Sequence, residues 1–157
     1  MFAKTLFVIA LCTMIVAADA ANAQQGSAQQ RFTPAEYTQV APANATAGTS
    51  GVAGIETRVL KGSPSSGGLY TILLSVPAHT RIAAHDHPDD RVATVISGTW
   101  YFGYGKKFDE SALKALPPGS FYTEPPGQAH FARTGDTAVT VQITGVGPTG
   151  TTYVEKP

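Results

Sequence analysis

Glycine and proline set the limits on what this chain can become. From Ile55 onward, short β-prone runs are cut every few residues by breakers. The runs are Glu56 to Leu60, Leu69 to Val76, Val92 to Ile96, Thr99 to Tyr104, Ser120 to Glu124 and Val139 to Thr144. Between them stand Gly62-Ser63-Pro64, Pro77-Ala78, Gly98, Pro117-Pro118-Gly119 and Pro125-Pro126-Gly127. Long helices do not survive such a density of breakers, whereas short strands joined by turns do. Many closely spaced strands imply an all-β sandwich or barrel. One stretch departs from the pattern. Phe108 to Leu116 holds good helix formers after an acidic start and stops at Pro117-Pro118, which predicts a short helix.

The beginning of the chain reads differently. Lys4 gives a positive start, Thr5 to Ala18 is uncharged and mostly apolar, and Ala18-Asp19-Ala20 and Ala21-Asn22-Ala23 follow. That order is a secretory signal peptide with cleavage expected after Ala23. The apolar run is shorter than the roughly 20 residues a membrane span needs. The expectation is therefore an exported protein, periplasmic or secreted, with no membrane attachment after cleavage. Cys12, the only cysteine, would leave with residues 1–23, so the mature protein would have no disulfide or thiolate chemistry. Residues 24–51 are rich in Gln, Ala and Thr without sustained periodicity and read as a flexible lead-in, with a turn of structure at Pro34-Ala35-Glu36-Tyr37. Asn44-Ala45-Thr46 matches a glycosylation acceptor, a triplet common by chance. Residues 52–157 form the β domain.

Charge narrows the partners. Lys+Arg and Asp+Glu are 11 each, and charged residues make up only 14%. A balanced chain offers no electrostatic reason to bind nucleic acid or an anionic membrane. A small molecule is the expected partner.

The chemistry gathers at histidine. His85 and His87 are two apart, so on a strand both imidazoles point to one face. His130 follows on a later segment, just after Pro125-Pro126-Gly127. Imidazole is the commonest protein metal ligand. Taken alone, such a pair also suits surface or hydrogen-bonding histidines. Two longer patterns add to it: His85-Asp86-His87 running to Gly98, and Gly119 running through Pro125 and Gly127 to His130. Together they resemble the two motifs of the cupin superfamily, over roughly Leu69 to Thr144. The second matches at every specified position through its histidine. The resemblance implies a single jelly-roll barrel (a double-stranded β-helix) with one short helix between the motifs. It also implies a divalent metal held by His85, His87 and His130, and a homodimer.

The departures matter as much. The first motif's glutamate falls at Arg91, and guanidinium has no lone pair to offer a metal. Its leading glycine falls at His79, and the second motif's closing asparagine at Thr134. Glu124, directly before Pro125, is the best replacement carboxylate. A carboxylate pointing into a barrel needs a cation. Glu124 is thus expected either as a fourth metal ligand or as the partner of an inward Arg91, unless it faces solvent. Asp89 is a second substitute. Arg91 either grips a substrate carboxylate or neutralises Asp89, Asp90 or Glu124. Tyr101 or Tyr122 can line the pocket as a phenolic donor, while most of Trp100-Tyr101-Phe102-Gly103-Tyr104 fills the core. His79 is expected to be exposed.

Ligand type alone does not choose among Fe, Mn, Ni, Zn and Cu. The leading expectation is a metal-dependent oxygenase, lyase or isomerase acting on a small oxygenated or anionic molecule. A non-enzymatic binding or sensing module is the alternative. A metal-free relic is the third.

Overall fold

The computed structural model describes residues 29–43 and 50–156. The signal-peptide reading and the Asn44-Ala45-Thr46 triplet lie outside the described residues. Before the strands, α1 (Pro34–Tyr37) is one short turn. Thr33 caps it, and the Glu36 carboxylate accepts a hydrogen bond from the Thr33 backbone N–H. Ala43 then bridges to Thr57.

Among the described residues ten strands follow: β1 (Glu56–Lys61), β2 (Gly68–Val76), β3 (Arg81–Asp86), β4 (Arg91–Ser97), β5 (Trp100–Tyr104), β6 (Lys114–Leu116), β7 (Phe121–Glu124), β8 (His130–Arg133), β9 (Val139–Gly147) and β10 (Thr152–Tyr153). They make two five-stranded sheets, ordered β1-β2-β9-β4-β7 and β10-β3-β8-β5-β6. From β2 to β5 the chain changes sheet at every turn, and again from β7 to β10. This is the jelly-roll connectivity. It carries β3 and β8 into one sheet, and β4 and β7 into the sheet facing it.

Period-two alternation fills the space between the sheets. The first sheet turns Tyr70, Ile72, Leu74, Ala93, Val95, Val141 and Ile143 inward, and the second answers with Ile82, Trp100, Phe102 and Ala132. Each fully buried large apolar side chain stabilises the fold by about 1.5–3 kcal/mol.

The expected helix at Phe108 to Leu116 is much shorter than its composition suggested. Only Glu110–Ala112 coil, as a single 3-10 turn capped by the Asp109 carboxylate. The next residues become β6 and pair with β5, placing Leu116 opposite Trp100. Nine residues make a marginal helix in water. Pairing with β5 gives one side of their backbone ladder partners and buries Leu116.

Gly98 makes the turn from β4 to β5 at φ +74°, and a Cβ there would stand 2.4 Å from the Ala138 carbonyl oxygen. Gly98→Ala is therefore expected to cost about 2 kcal/mol, from the left-handed backbone and the contact together. Urea unfolding checks it, and an unchanged midpoint would show that the turn relaxes freely.

Candidate metal centre

An irregularity in β3 aims the first histidine. Ile82 lies opposite Ala132 and His85 opposite His130, so three steps on β3 match two on β8. The extra residue is a bulge, which resets which side chains point inward. Ile82 and His85 both face the interior although they are an odd number of residues apart. His87 keeps the parity of His85. His130 opens β8 directly across from His85.

The three rings meet. Their centroids are 5.0 Å apart for His85 and His87, 4.4 Å for His85 and His130, and 5.2 Å for His87 and His130. One nitrogen from each lies within 4.8 Å of the others, and all three residues are buried. The remaining nitrogens are tied to backbone carbonyls. Nδ1 of His85 donates to Ala83 O at 2.7 Å, Nδ1 of His87 to Gly150 O, and Nδ1 of His130 to Gln128 O at 3.2 Å. A carbonyl only accepts, so each Nδ1 carries the proton and each Nε2 presents its lone pair. Nε2 of His87 is buried without a partner. Burial, with the neighbouring charges, lowers the pKa of His85 to about 4 and of His87 to about 3, and it lowers that of His130 as well. The rings are thus neutral at physiological pH, the state a metal requires. Three neutral imidazoles with fixed tautomers and an orphaned Nε2 fit a divalent metal with open coordination positions.

The opposite wall comes from the first sheet. Arg91 on β4 pairs in register with Glu124 on β7. The guanidinium donates to Glu124 Oε2 from Nε at 2.7 Å and again from Nη2. Both side chains are at least 96% buried. Burial pushes the Glu124 pKa up, but Arg91 foremost among its neighbours brings it down to about 2. Oε2 also lies 3.7 Å from Nε2 of both His87 and His130. Glu124 therefore gives its charge to Arg91 at the edge of the imidazole cluster. Tyr122, two residues earlier on β7, enters the same wall. Burial, then the Glu124 charge, raises its pKa well above the ordinary value, so its hydroxyl is a donor and not a base.

The row continues across the sheet. Gly145 on β9 lies beside Arg91 on one side and Tyr70 on the other. Tyr70 donates its hydroxyl to Asp89 Oδ2 at 2.7 Å. A Cβ on Gly145 would sit 2.7 Å from both of those oxygens, so only glycine admits the pair. Asp89 is thus buried against Tyr70, and among the described residues the three histidines alone form a metal-type cluster.

Other expected residues sit elsewhere. Tyr101 lies beneath the Arg133 guanidinium, 4.2 Å from it, and outside the cavity. His79 is largely exposed, 3.8 Å from Asp136, with φ +56°. Thr134 is buried and joins the turn between β2 and β3, donating to Pro77 O at 2.7 Å and accepting from Thr80 N at 2.8 Å.

No family model and no curated protein matches the sequence. Solved structures do. A protein with a double-stranded β-helix domain from Klebsiella pneumoniae is 23% identical, with TM-score 0.57 over 82% of this chain and 100% of its own. An RmlC-like cupin from Shewanella frigidimarina is 17% identical, with TM-score 0.55 over 78% and 93%. The fold is the cupin fold. The polyketide cyclase RemF from Streptomyces resistomycificus shares it at 16% identity, with TM-score 0.59 over 76% and 80%. In cupin terms, the first motif's glutamate position is Arg91, and the structure supplies that residue's counter-charge from the partner strand. The motif's leading glycine is His79, which adopts the left-handed backbone that glycine would favour.

Proposed function

We propose that the protein is an exported, metal-dependent enzyme acting on a small oxygen-bearing molecule. The convergence of three neutral Nε2 atoms on one buried point carries this reading. His85, His87 and His130 would hold the ion, with Glu124 beside them as a candidate fourth ligand. A metal bound there supplies Lewis acidity, or an activated water or dioxygen according to its identity among Fe, Mn, Ni, Zn and Cu. The chain's own residues do the rest. Arg91 holds Glu124 ionised, Tyr122 offers a proton donor, and Leu74, Ile82 and Ile143 keep the cavity wall dry. The leader sequence supports a periplasmic or secreted site of action, and the cupin fold supports a homodimer.

The second reading, a binding or sensing module, draws on the commitments of the polar groups. Glu124 is occupied by Arg91, and every Nδ1 is bonded to backbone. With the three Nε2 atoms taken by a metal, no free base would remain at the cavity among the described residues.

Protein produced from residue 24 and purified without chelators is expected to carry divalent metal by elemental analysis. His130→Ala is expected to weaken metal binding by more than about 100-fold, beyond the loss typical of an outer-sphere change. Competition with a chromophoric chelator reads this. Glu124→Gln separates the two roles of Glu124, since only a ligand's loss lowers affinity to a comparable degree. Turnover of small carboxylates and phenolics by the loaded protein, aerobically and anaerobically, decides between enzyme and sensor. Binding without turnover under every metal would favour the sensor. Absence of metal binding would sink both.

A further inference from the structure

The cavity among the imidazoles, about 30 Å³, has room for an ion and little else. A larger space lies beside it. β6 ends one sheet and β7 ends the other. Along the seam between these two edges runs a groove of about 390 Å³. Sites for small organic ligands have volumes of roughly 300–1,000 Å³.

Aromatic rings make its walls. Phe102 and Tyr104 come from β5, Phe121 and Tyr122 from β7. Phe102 meets Tyr104 edge to face, with centroids 5.1 Å apart, and lies 4.2 Å from Tyr122. The Tyr104 hydroxyl crosses to the opposite sheet and donates to Thr123 O at 2.7 Å, which ties the two lips together. That bond fixes the groove without covering its rings: Tyr104 is 53% exposed and Phe121 62%. Large apolar groups left together in water mark a surface with a partner.

The floor separates this groove from the metal centre. Phe102 and Tyr122 line both spaces. Phe102 stacks on the His130 ring at 5.3 Å, and the Tyr122 hydroxyl is turned to Trp100 and Glu124. A ring therefore stands between any occupant of the groove and the imidazoles.

Charge and length say which partner. Lys114 is the only charged residue lining the groove. It is exposed and pairs with no carboxylate among the described residues. One free cation above an aromatic wall complements a ligand with a flat apolar body and one negative charge. Strand addition by a peptide fits less well. β6 has 3 residues and β7 has 4, against about five or six in a usual strand.

We propose that the groove is a second binding site, for an aromatic carboxylate whose ring packs on the Phe102–Tyr104–Phe121 wall and whose charge meets Lys114. The site does not touch the metal, so it binds with or without the ion and stands independently of the metal-centre reading.

Calorimetry with cinnamate tests it, on metal-free and metal-loaded protein side by side. Cinnamamide keeps the ring without the charge, and acetate keeps the charge without the ring. Cinnamate is expected to bind both forms with equal affinity. Cinnamamide should bind about three- to five-fold more weakly, the worth of one exposed ion pair, and acetate should not bind at concentrations that saturate cinnamate. Lys114→Gln should make cinnamate and cinnamamide bind alike. Phe121→Ser should weaken both about ten-fold through the lost ring contact. Both substituted side chains are exposed, so the urea midpoint should not move. Cinnamate binding that requires the metal would place the ligand at the ion and overturn the proposal. An acid-over-amide preference that survives Lys114→Gln, or binding undiminished by Phe121→Ser, would overturn it as well. So would protein that ignores cinnamate. If Phe121→Ser then also converts dimer to monomer in sedimentation, the groove's occupant is a second copy of the chain.

Discussion

Arg91→Met is expected to destabilise the metal-free protein by about 3–5 kcal/mol at pH 7, read from urea unfolding. The side chains are similar in length, so little packing volume is lost. What is lost is, among the described residues, the only cation hydrogen-bonded to a carboxylate that is 96% buried. An ion pair of this kind adds little net stability compared with an apolar pair, yet removing one partner strands the other charge. Two further measurements test that cause. Arg91→Met combined with Glu124→Gln should recover much of the deficit, because no stranded charge remains. Metal should also recover part of it. Glu124 Oε2 already lies 3.7 Å from two of the imidazole nitrogens, and without Arg91 it is free to turn toward an ion. A double variant as unstable as the single one would show that packing, not charge, sets the cost.

The same pair shows what the sequence made legible. The motif spacing brought out His85, His87 and His130, because a closed sheet fixes which residues face inward once strand positions are known. Arg91 was left with two alternatives and Glu124 with three. Their pairing depends on the register between β4 and β7, a long-range property that no local pattern encodes. The bulge before His85 was not legible at all. Ala83 and Ala84 carry no turn signal, and the irregularity becomes visible only against the hydrogen bonds to β8. The Tyr70–Asp89 contact was missed for a related reason. Gly145 leaves room for the two oxygens, and that role belongs to strands far apart in the chain. Phe108 to Leu116 misled in the opposite sense. Its local preference for helix yielded to the open edge of β5.

These details have one origin in the connectivity. Because the chain alternates between sheets, the metal-type ligands lie on β3, just past its end and on β8, while the charged wall lies on β4 and β7. The second sheet contributes neutral donors of electron pairs, and the first contributes fixed charge. Neither sheet alone makes the site, so loss of their packing should abolish metal affinity and the Arg91–Glu124 pair together.

Acid is the condition that separates them. Each imidazole has a folded pKa below its unfolded value of about 6.5, at about 4 for His85 and about 3 for His87, with His130 shifted the same way. Between those values the unfolded chain holds protons that the folded chain refuses. Stability is then greatest above pH 6.5 and falls as pH drops toward 4. Each imidazole removes between 1 and 2 kcal/mol per pH unit within that window. Glu124, with a folded pKa of about 2 against an ordinary 4.5, acts in the same direction but lower, between pH 4.5 and 2. Three imidazoles titrating together can exhaust the stability of a domain whose total is about 5–15 kcal/mol. Urea midpoints at successive pH values should therefore begin to fall near pH 6, well before most carboxylates protonate. Bound divalent metal should move that fall to lower pH, because an occupied Nε2 competes with the proton, and chelation should restore it. A midpoint flat from pH 7 to 5 in the metal-free protein would mean that the imidazoles meet water in solution, and the converged, neutral cluster would have to be given up.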